Sequence, residues 1–276
     1  HSTHVDHFET CLTSIDSMAH SSQLVKVVFG SNVPGWEIGD KGVPAVLLIQ
    51  EWWGITDIVQ AQACLISARG YRVLVPDMYT HTELYKQKGT TTASNREEAG
   101  HSMNTLDFQL ATQEIGQAAA YLKETGSPSV AIMGGCMGGA LAFAAAEKVP
   151  GLACAAPFYG TLEPLAGDVK AEDGTPYFQM ERIKIPVQYH TGMLDNLAGF
   201  SDPKSGQQVV ARMKAAGCNV ELFLYPDTPH SFLNALVPGG EEFLRKWDYG
   251  VPPKAMVDLA FERLIAFFDK WCKAVA

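Results

Sequence analysis

The chain has 276 residues, 47% of them hydrophobic and 18% charged, with a formal net charge of −9. That length and balance suit a compact domain with a sizeable core and exclude a disordered or fibrous chain. The acidic surface disfavours phosphate backbones and anionic lipid, and no run of 18 apolar residues offers a span, so neither a nucleic-acid nor a membrane partner is expected.

Residues 1–23 read as a polar N-terminal extension, with His1, His4, His7 and His20 but no apolar signal segment. Residues 24–276 read as a single domain in which strands and helices alternate. The run GVPAVLLIQEWWG predicts a strand over Pro44–Gln50, and a helix follows from Asp57 to its stop at Gly70. YRVLVPD is a short buried strand. Leu106, Leu110, Ile115, Ala119 and Leu122 recur at helical spacing and predict one helix over Asn104–Glu124. SVAIMGG is a strand and MGGALAFAAAEKV a helix. LACAAPFY and IPVQYHTG are two more buried strands. Lys204–Ala216 is a helix, VELFLYP a strand, and Pro253–Val275 a terminal helix. Near-continuous Val/Ile/Leu strands alternating with helices predict an α/β fold, a mostly parallel central sheet covered by helices on both faces.

Ligand sites of open α/β sheets lie beyond the carboxyl ends of the strands. Chemistry-bearing residues stand at four such ends: Glu51-Trp52-Trp53, Cys136, Asp195 and His230. Cys136 sits in Gly134-Gly135-Cys136-Met137-Gly138, a G-x-C-x-G turn between a strand and a helix. Such an elbow strains its central residue, and side chains two positions either side would collide with the neighbouring strand and helix. Glycine at 134 and 138 removes that collision. The turn also places the sulfur at a helix N-terminus, which favours thiolate, and aims the Met137 N–H as an oxyanion donor. The bland reading, a small core cysteine beside a glycine-rich turn, stands against this. Phosphate cradling is not indicated, because no G-x-x-x-x-G-K-[ST] run is present.

A cysteine nucleophile needs a base, and the base an orienting acid. Asp195 and then His230 follow Cys136 in the order nucleophile, acid, base. His190 lies inside a strand and reads as a buried, hydrogen-bonded histidine. Asp227 shapes the PDTP turn, Asp202 precedes a helix opened by Pro203, and His101 falls outside the motif positions. The six cysteines, Cys11, Cys64, Cys136, Cys154, Cys218 and Cys272, are scattered without C-x-x-C. They form neither a disulfide framework nor a zinc site, so no metal is expected. They suit a reducing compartment: the cytoplasm, or an organelle if a leader preceded His1.

From Val43 to the C-terminal helix the chain resembles the dienelactone hydrolase (carboxymethylenebutenolidase-like) family of the α/β-hydrolase superfamily. The resemblance rests on QEWWG at 50–54, VPDMY at 75–79, GGCMGGALAF at 134–143, GMLD at 192–195 and PHSF at 229–232. It implies an α/β-hydrolase fold and cleavage of small esters or lactones through an acyl-enzyme, with no cofactor. Cys136 is then the nucleophile, His230 the base, Asp195 the orienting acid, and Glu51 a carboxylate that interacts with the thiol. The Trp52 N–H becomes the second oxyanion donor. Family members that cleave dienelactone carry carboxylate-holding arginines where this chain has His81 and Asn234, so a less anionic substrate is expected. Trp52, Trp53 and Tyr79 are expected to form an aromatic wall, with His81 and Asn234 at the substrate. The polar segment from His81 to His101 reads as a cap, and the Pro-Gly-Gly stretch near Val237–Glu242 as a second rim. The expected assembly is a monomer or homodimer. A non-catalytic ligand-binding protein on this fold, or a thiol-redox protein using Cys136, is the alternative reading.

Overall fold

The computed structural model describes residues 23–274. Residues 1–22 of the expected extension, with their four histidines and Cys11, lie outside the described residues, as does Val275. Eight strands form one sheet: β1 Val25–Phe29, β2 Val33–Ile38, β3 Ala45–Ile49, β4 Arg72–Pro76, β5 Val130–Gly135, β6 Ala155–Phe158, β7 Val187–Gly192 and β8 Val220–Tyr225. Their order is β1-β2-β4-β3-β5-β6-β7-β8. From β4 to β8 across the sheet every pairing is parallel, while β1 and β2 form an antiparallel hairpin on the β4 edge. The sheet is therefore the mostly parallel one that the buried apolar strands require. The hairpin was not read from the sequence. Its turn uses Gly30 and Asn32 at positive φ, and β1 exposes Val25 and Val28 on an edge where packing constrains little.

Nine helices accompany the sheet among the described residues: α1 Asp57–Ser67, α2 Glu83–Lys88, α3 Arg96–Asn104, α4 Phe108–Glu124, α5 Met137–Lys148, α6 Glu163–Ala166, α7 Pro203–Ala215, α8 Gly240–Lys246 and α9 Lys254–Phe268. Residues from α4, α5 and α7 fill one core layer, and residues from α1 and α9 the other, on opposite faces of the sheet. Alternate residues of β3 divide between them, with Leu47 and Ile49 in the first and Val46 and Leu48 in the second. α5 runs through the first layer with Met137 to Ala145 fully buried, which its glycines and alanines permit.

The helix expected over Asn104–Glu124 is present but starts four residues later, at Phe108. Asp107 accepts from the N–H groups of Gln109 (2.9 Å) and Leu110 (3.0 Å) and so starts α4 anew, while α3 ends at Asn104. The segment from His81 to His101 carries α2 and most of α3, started by Thr82 and Asn95 as N-caps. The expected rim at Val237–Glu242 holds the first turn of α8 and a buried Val237. The terminal helix continues past Phe268 as a π-helical turn over Asp269–Lys273. None of the helices among the described residues is long and apolar enough to cross a membrane.

Candidate active site

Four strand ends converge at the carboxyl edge of the sheet. β5 delivers Cys136 on the turn into α5, with φ 55° and ψ −122°, a conformation an L-residue holds only under constraint. The flanking glycines are required sterically. A Cβ at Gly134 would stand 2.4 Å from the Gly138 carbonyl oxygen, and one at Gly138 2.5 Å from that of Ile49. Gly160 makes the same allowance opposite, where a Cβ would meet the Cys136 carbonyl oxygen at 2.0 Å. Cys136 is 5% exposed.

β7 delivers Asp195 and the loop after β8 delivers His230. Asp195 Oδ2 lies 2.7 Å from His230 Nδ1, and its Oδ1 accepts from Ser201 Oγ (2.8 Å) and the Leu197 N–H (3.2 Å). Ser201 Oγ also stands 3.1 Å from His230 Nδ1. Asp195 therefore fixes the ring through Nδ1 and leaves the buried Nε2 as the other nitrogen. Burial alone would push the imidazole down. The charge on Cys136 and the Asp195 hydrogen bond outweigh it and raise His230 to about 10.

Glu51, beyond β3, is buried and accepts from Tyr159 Oη at 3.0 Å, Ser231 Oγ at 3.2 Å and Asn234 Nδ2 at 3.3 Å. Burial pushes its carboxyl above the ordinary range, against the opposing pull of His230 and those three donors. The hydrogen bonds that fix this carboxylate come from the residue after β6 and from the segment after β8. Met137 opens α5, so its N–H has no acceptor within the helix. The turn after β3 is closed by the Gly54 N–H donating to the Glu51 carbonyl (3.0 Å), which leaves the Trp52 N–H outside that bond.

Each residue expected at the substrate engages another part of the protein. Tyr79 is fully buried and donates to the Trp52 carbonyl oxygen (2.8 Å), bracing the turn from behind rather than walling a cleft. Trp53 packs into a satellite cluster against Phe243 and Trp247. His81 turns to Glu114 of α4, with Nδ1 at 2.5 Å from the carboxylate. Asn234 faces Glu51. Trp52 is half-buried, with Nε1 donating to Tyr249 Oη at 3.2 Å. The aromatic groups that surround His230 are Tyr159, Tyr249 and Phe200, with ring centroids 5.2, 5.7 and 6.3 Å away.

Sequence reasoning missed Tyr159, Ser201, Ser231 and Tyr249. Tyr159 ends the strand LACAAPFY, and the strand-end rule applied to it would have found it. Ser231 lies inside the PHSF motif beside His230, and Ser201 and Tyr249 lie on loops without a motif. His190 is buried with Nδ1 2.8 Å from Tyr225 Oη and Nε2 2.9 Å from Gln188 Oε1, and burial holds it down at about 3. Asp202 caps α7 through the Ser205 N–H (3.1 Å). Among the described residues no group of three or more His, Cys, Asp and Glu is arranged to hold a metal ion. The arrangement as a whole can attack a carbonyl with sulfur, take up a proton on a fixed imidazole and receive a developing oxyanion.

The sequence model of the Dienelactone hydrolase family matches residues 34–271. A carboxymethylenebutenolidase of Rhodococcus opacus is 23% identical over 226 residues, which is 82% of this chain and 81% of that protein. Carboxymethylenebutenolidase 1 of Cupriavidus pinatubonensis is 25% identical over 203 residues, 72% of this chain and 79% of its own. The crystal structure of a putative dienelactone hydrolase from Klebsiella pneumoniae superposes with a TM-score of 0.70 at 17% identity, covering 90% of this chain and 99% of that one. That likeness establishes a shared α/β fold.

Proposed function

The chain belongs to the dienelactone hydrolase family and is a hydrolase, and on that premise we propose that it cleaves small carboxylic esters or lactones with Cys136 as nucleophile. The observation that carries the reading is the pairing of a strained, glycine-flanked Cys136 with a His230 whose other nitrogen is fixed by Asp195 at 2.7 Å.

In this mechanism Cys136 Sγ attacks the carbonyl carbon and its proton resides on His230 Nε2. The new oxyanion takes hydrogen bonds from the N–H groups of Met137 and Trp52. The tetrahedral species collapses with cleavage of the C–O bond, and His230 gives the proton to the departing alkoxide. A water then loses a proton to His230 and its oxygen attacks the thioester carbon. Breaking the C–S bond releases the acid and returns the proton to the Cys–His pair. Asp195 holds the imidazole throughout.

A neutral ester or lactone fits better than a carboxylated one. The Asn234 amide is directed at Glu51 and the His81 ring at Glu114, so neither position supplies a guanidinium fork. Half-buried Trp52, Tyr249 and Phe200 offer apolar surface beside His230 instead. A cytoplasmic location accords with the free thiols of Cys136, Cys154, Cys218 and Cys272, and the proposed assembly is a monomer or homodimer.

The test sets p-nitrophenyl acetate against a carboxylated dienelactone on the purified protein. The neutral ester should be the better substrate, and Cys136→Ala should abolish its turnover. Preference for the dienelactone would refute the substrate argument, and full activity of Cys136→Ala would refute the nucleophile.

A further inference from the structure

Gln62 of α1 is buried and reaches the site from behind. Its Nε2 donates to the Leu233 carbonyl oxygen (3.1 Å) and to Asn234 Oδ1 (3.3 Å), and Asn234 Nδ2 donates to Glu51 Oε2 (3.3 Å). The donor directions are fixed by chemistry. A backbone carbonyl only accepts, so Gln62 presents its NH₂ group to Leu233. The same NH₂ group demands an acceptor from Asn234, which turns the Asn234 oxygen toward Gln62 and its NH₂ toward Glu51. Tyr159 and Ser231, the other two partners of Glu51, carry hydroxyls that can rotate to accept a proton from a neutral carboxyl. Asn234 cannot accept from Glu51 while Gln62 holds its oxygen.

We propose that Gln62 is a positioning residue: by locking the Asn234 amide it keeps an N–H directed at Glu51 Oε2 and so favours the ionised form of Glu51 beside His230. The proposal rests on the cysteine–histidine reading of the site. The titratable groups that interact with Glu51 are His230, Tyr159 and Tyr249. His230 is the cation among them. The carboxylate is therefore held by neutral donors, and the orientation of one amide matters. An ionised Glu51 supports the imidazolium that forms when His230 carries the Cys136 proton.

Gln62→Met removes both donor bonds at little change in volume and frees Asn234 to turn its oxygen toward a protonated Glu51. Gln62→Glu, whose ionised carboxylate only accepts, draws the Asn234 NH₂ toward itself and should have the larger effect. The readout is the pH profile of kcat/KM for p-nitrophenyl acetate. It is paired with infrared detection of the protonated carboxyl of Glu51, assigned by its loss in Glu51→Gln. The expected result is an acidic limb moved up by about one pH unit, a tenfold loss on the acid side with recovery at alkaline pH, and a carboxyl band persisting to higher pH. KM should change little. An unmoved limb and band, or a loss of kcat/KM equal at every pH, would overturn the proposal. The infrared signal does not depend on turnover. If Cys136→Ala proves fully active while the band still shifts, the nucleophile assignment fails and the Gln62 lock stands. If Cys136→Ala is inactive and the band does not shift, the lock alone fails.

Discussion

Gly138→Ala tests whether the elbow geometry carries the site. The added methyl would lie 2.5 Å from the Ile49 carbonyl oxygen and 2.6 Å from that of Gln50. Both are backbone atoms at the end of β3, so neither can rotate away. The closer contact falls about 0.9 Å short of ordinary van der Waals distance at 3.4 Å. α5 and the end of β3 must separate by most of that amount. Overpacking of this kind costs about 1–3 kcal/mol, and the better helix propensity of alanine returns up to about 1 kcal/mol. A net loss of about 1–2 kcal/mol is expected in urea unfolding. The same separation moves Cys136 and Met137 away from Glu51 and Trp52, which stand on the β3 side. A displacement near ~1 Å in a reacting constellation lowers rate by about 100-fold. The variant should therefore fold with a lowered urea midpoint and hydrolyse p-nitrophenyl acetate with kcat/KM down about 100-fold. Wild-type stability together with wild-type kcat/KM would refute the steric argument.

Further expectations follow from other contacts. His230 rises from its ordinary 6.5 to about 10 in the fold, so it favours the folded state fully below 6.5 and that contribution drains as pH climbs through about 10. Cys136→Ala removes the charge that raises it most, and urea midpoints of that variant should be flatter than wild type between those values. Tyr159→Phe deletes the 3.0 Å bond to Glu51. A hydrogen bond to a charged group contributes about 1.5–3 kcal/mol, so kcat/KM should fall tenfold or more at acidic pH and approach wild type in alkali, as a pH series will show. Arg72 is fully buried and grips Glu37 with two bonds of 2.9 Å at the amino end of β4, away from Cys136. Arg72→Met leaves the Glu37 carboxylate with the Tyr121 hydroxyl but no cation, and should cost about 3 kcal/mol in urea unfolding while kcat of the folded enzyme holds.

Much was legible in the linear chain because its signals are local. The parallel strands announce themselves as short runs of Val, Ile and Leu, since a strand buried on both faces has no polar side to interrupt it. The elbow is legible because Gly134 and Gly138 answer a clash between residues four apart. The Asp195 and His230 candidates followed from strand ends in order, and the structure places them 2.7 Å apart. The β1–β2 hairpin was not legible, because an edge pair with one exposed face leaves a weak pattern. The N-cap at Asp107 was hidden by apolar spacing that began before it. Tyr79 and Trp53 carry no sequence mark saying which side of a backbone turn they will occupy. Tertiary packing decided that, setting Tyr79 behind the Trp52 carbonyl and Trp53 among Phe243 and Trp247. The sequence by itself determined the layered sheet and the residues able to do the chemistry. Only the tertiary structure decided that Glu51 is gripped by Tyr159, Ser231 and Asn234, with Gln62 behind, since those groups lie up to 183 residues from it in the chain and meet only when α1, β6 and the loop after β8 close on one point.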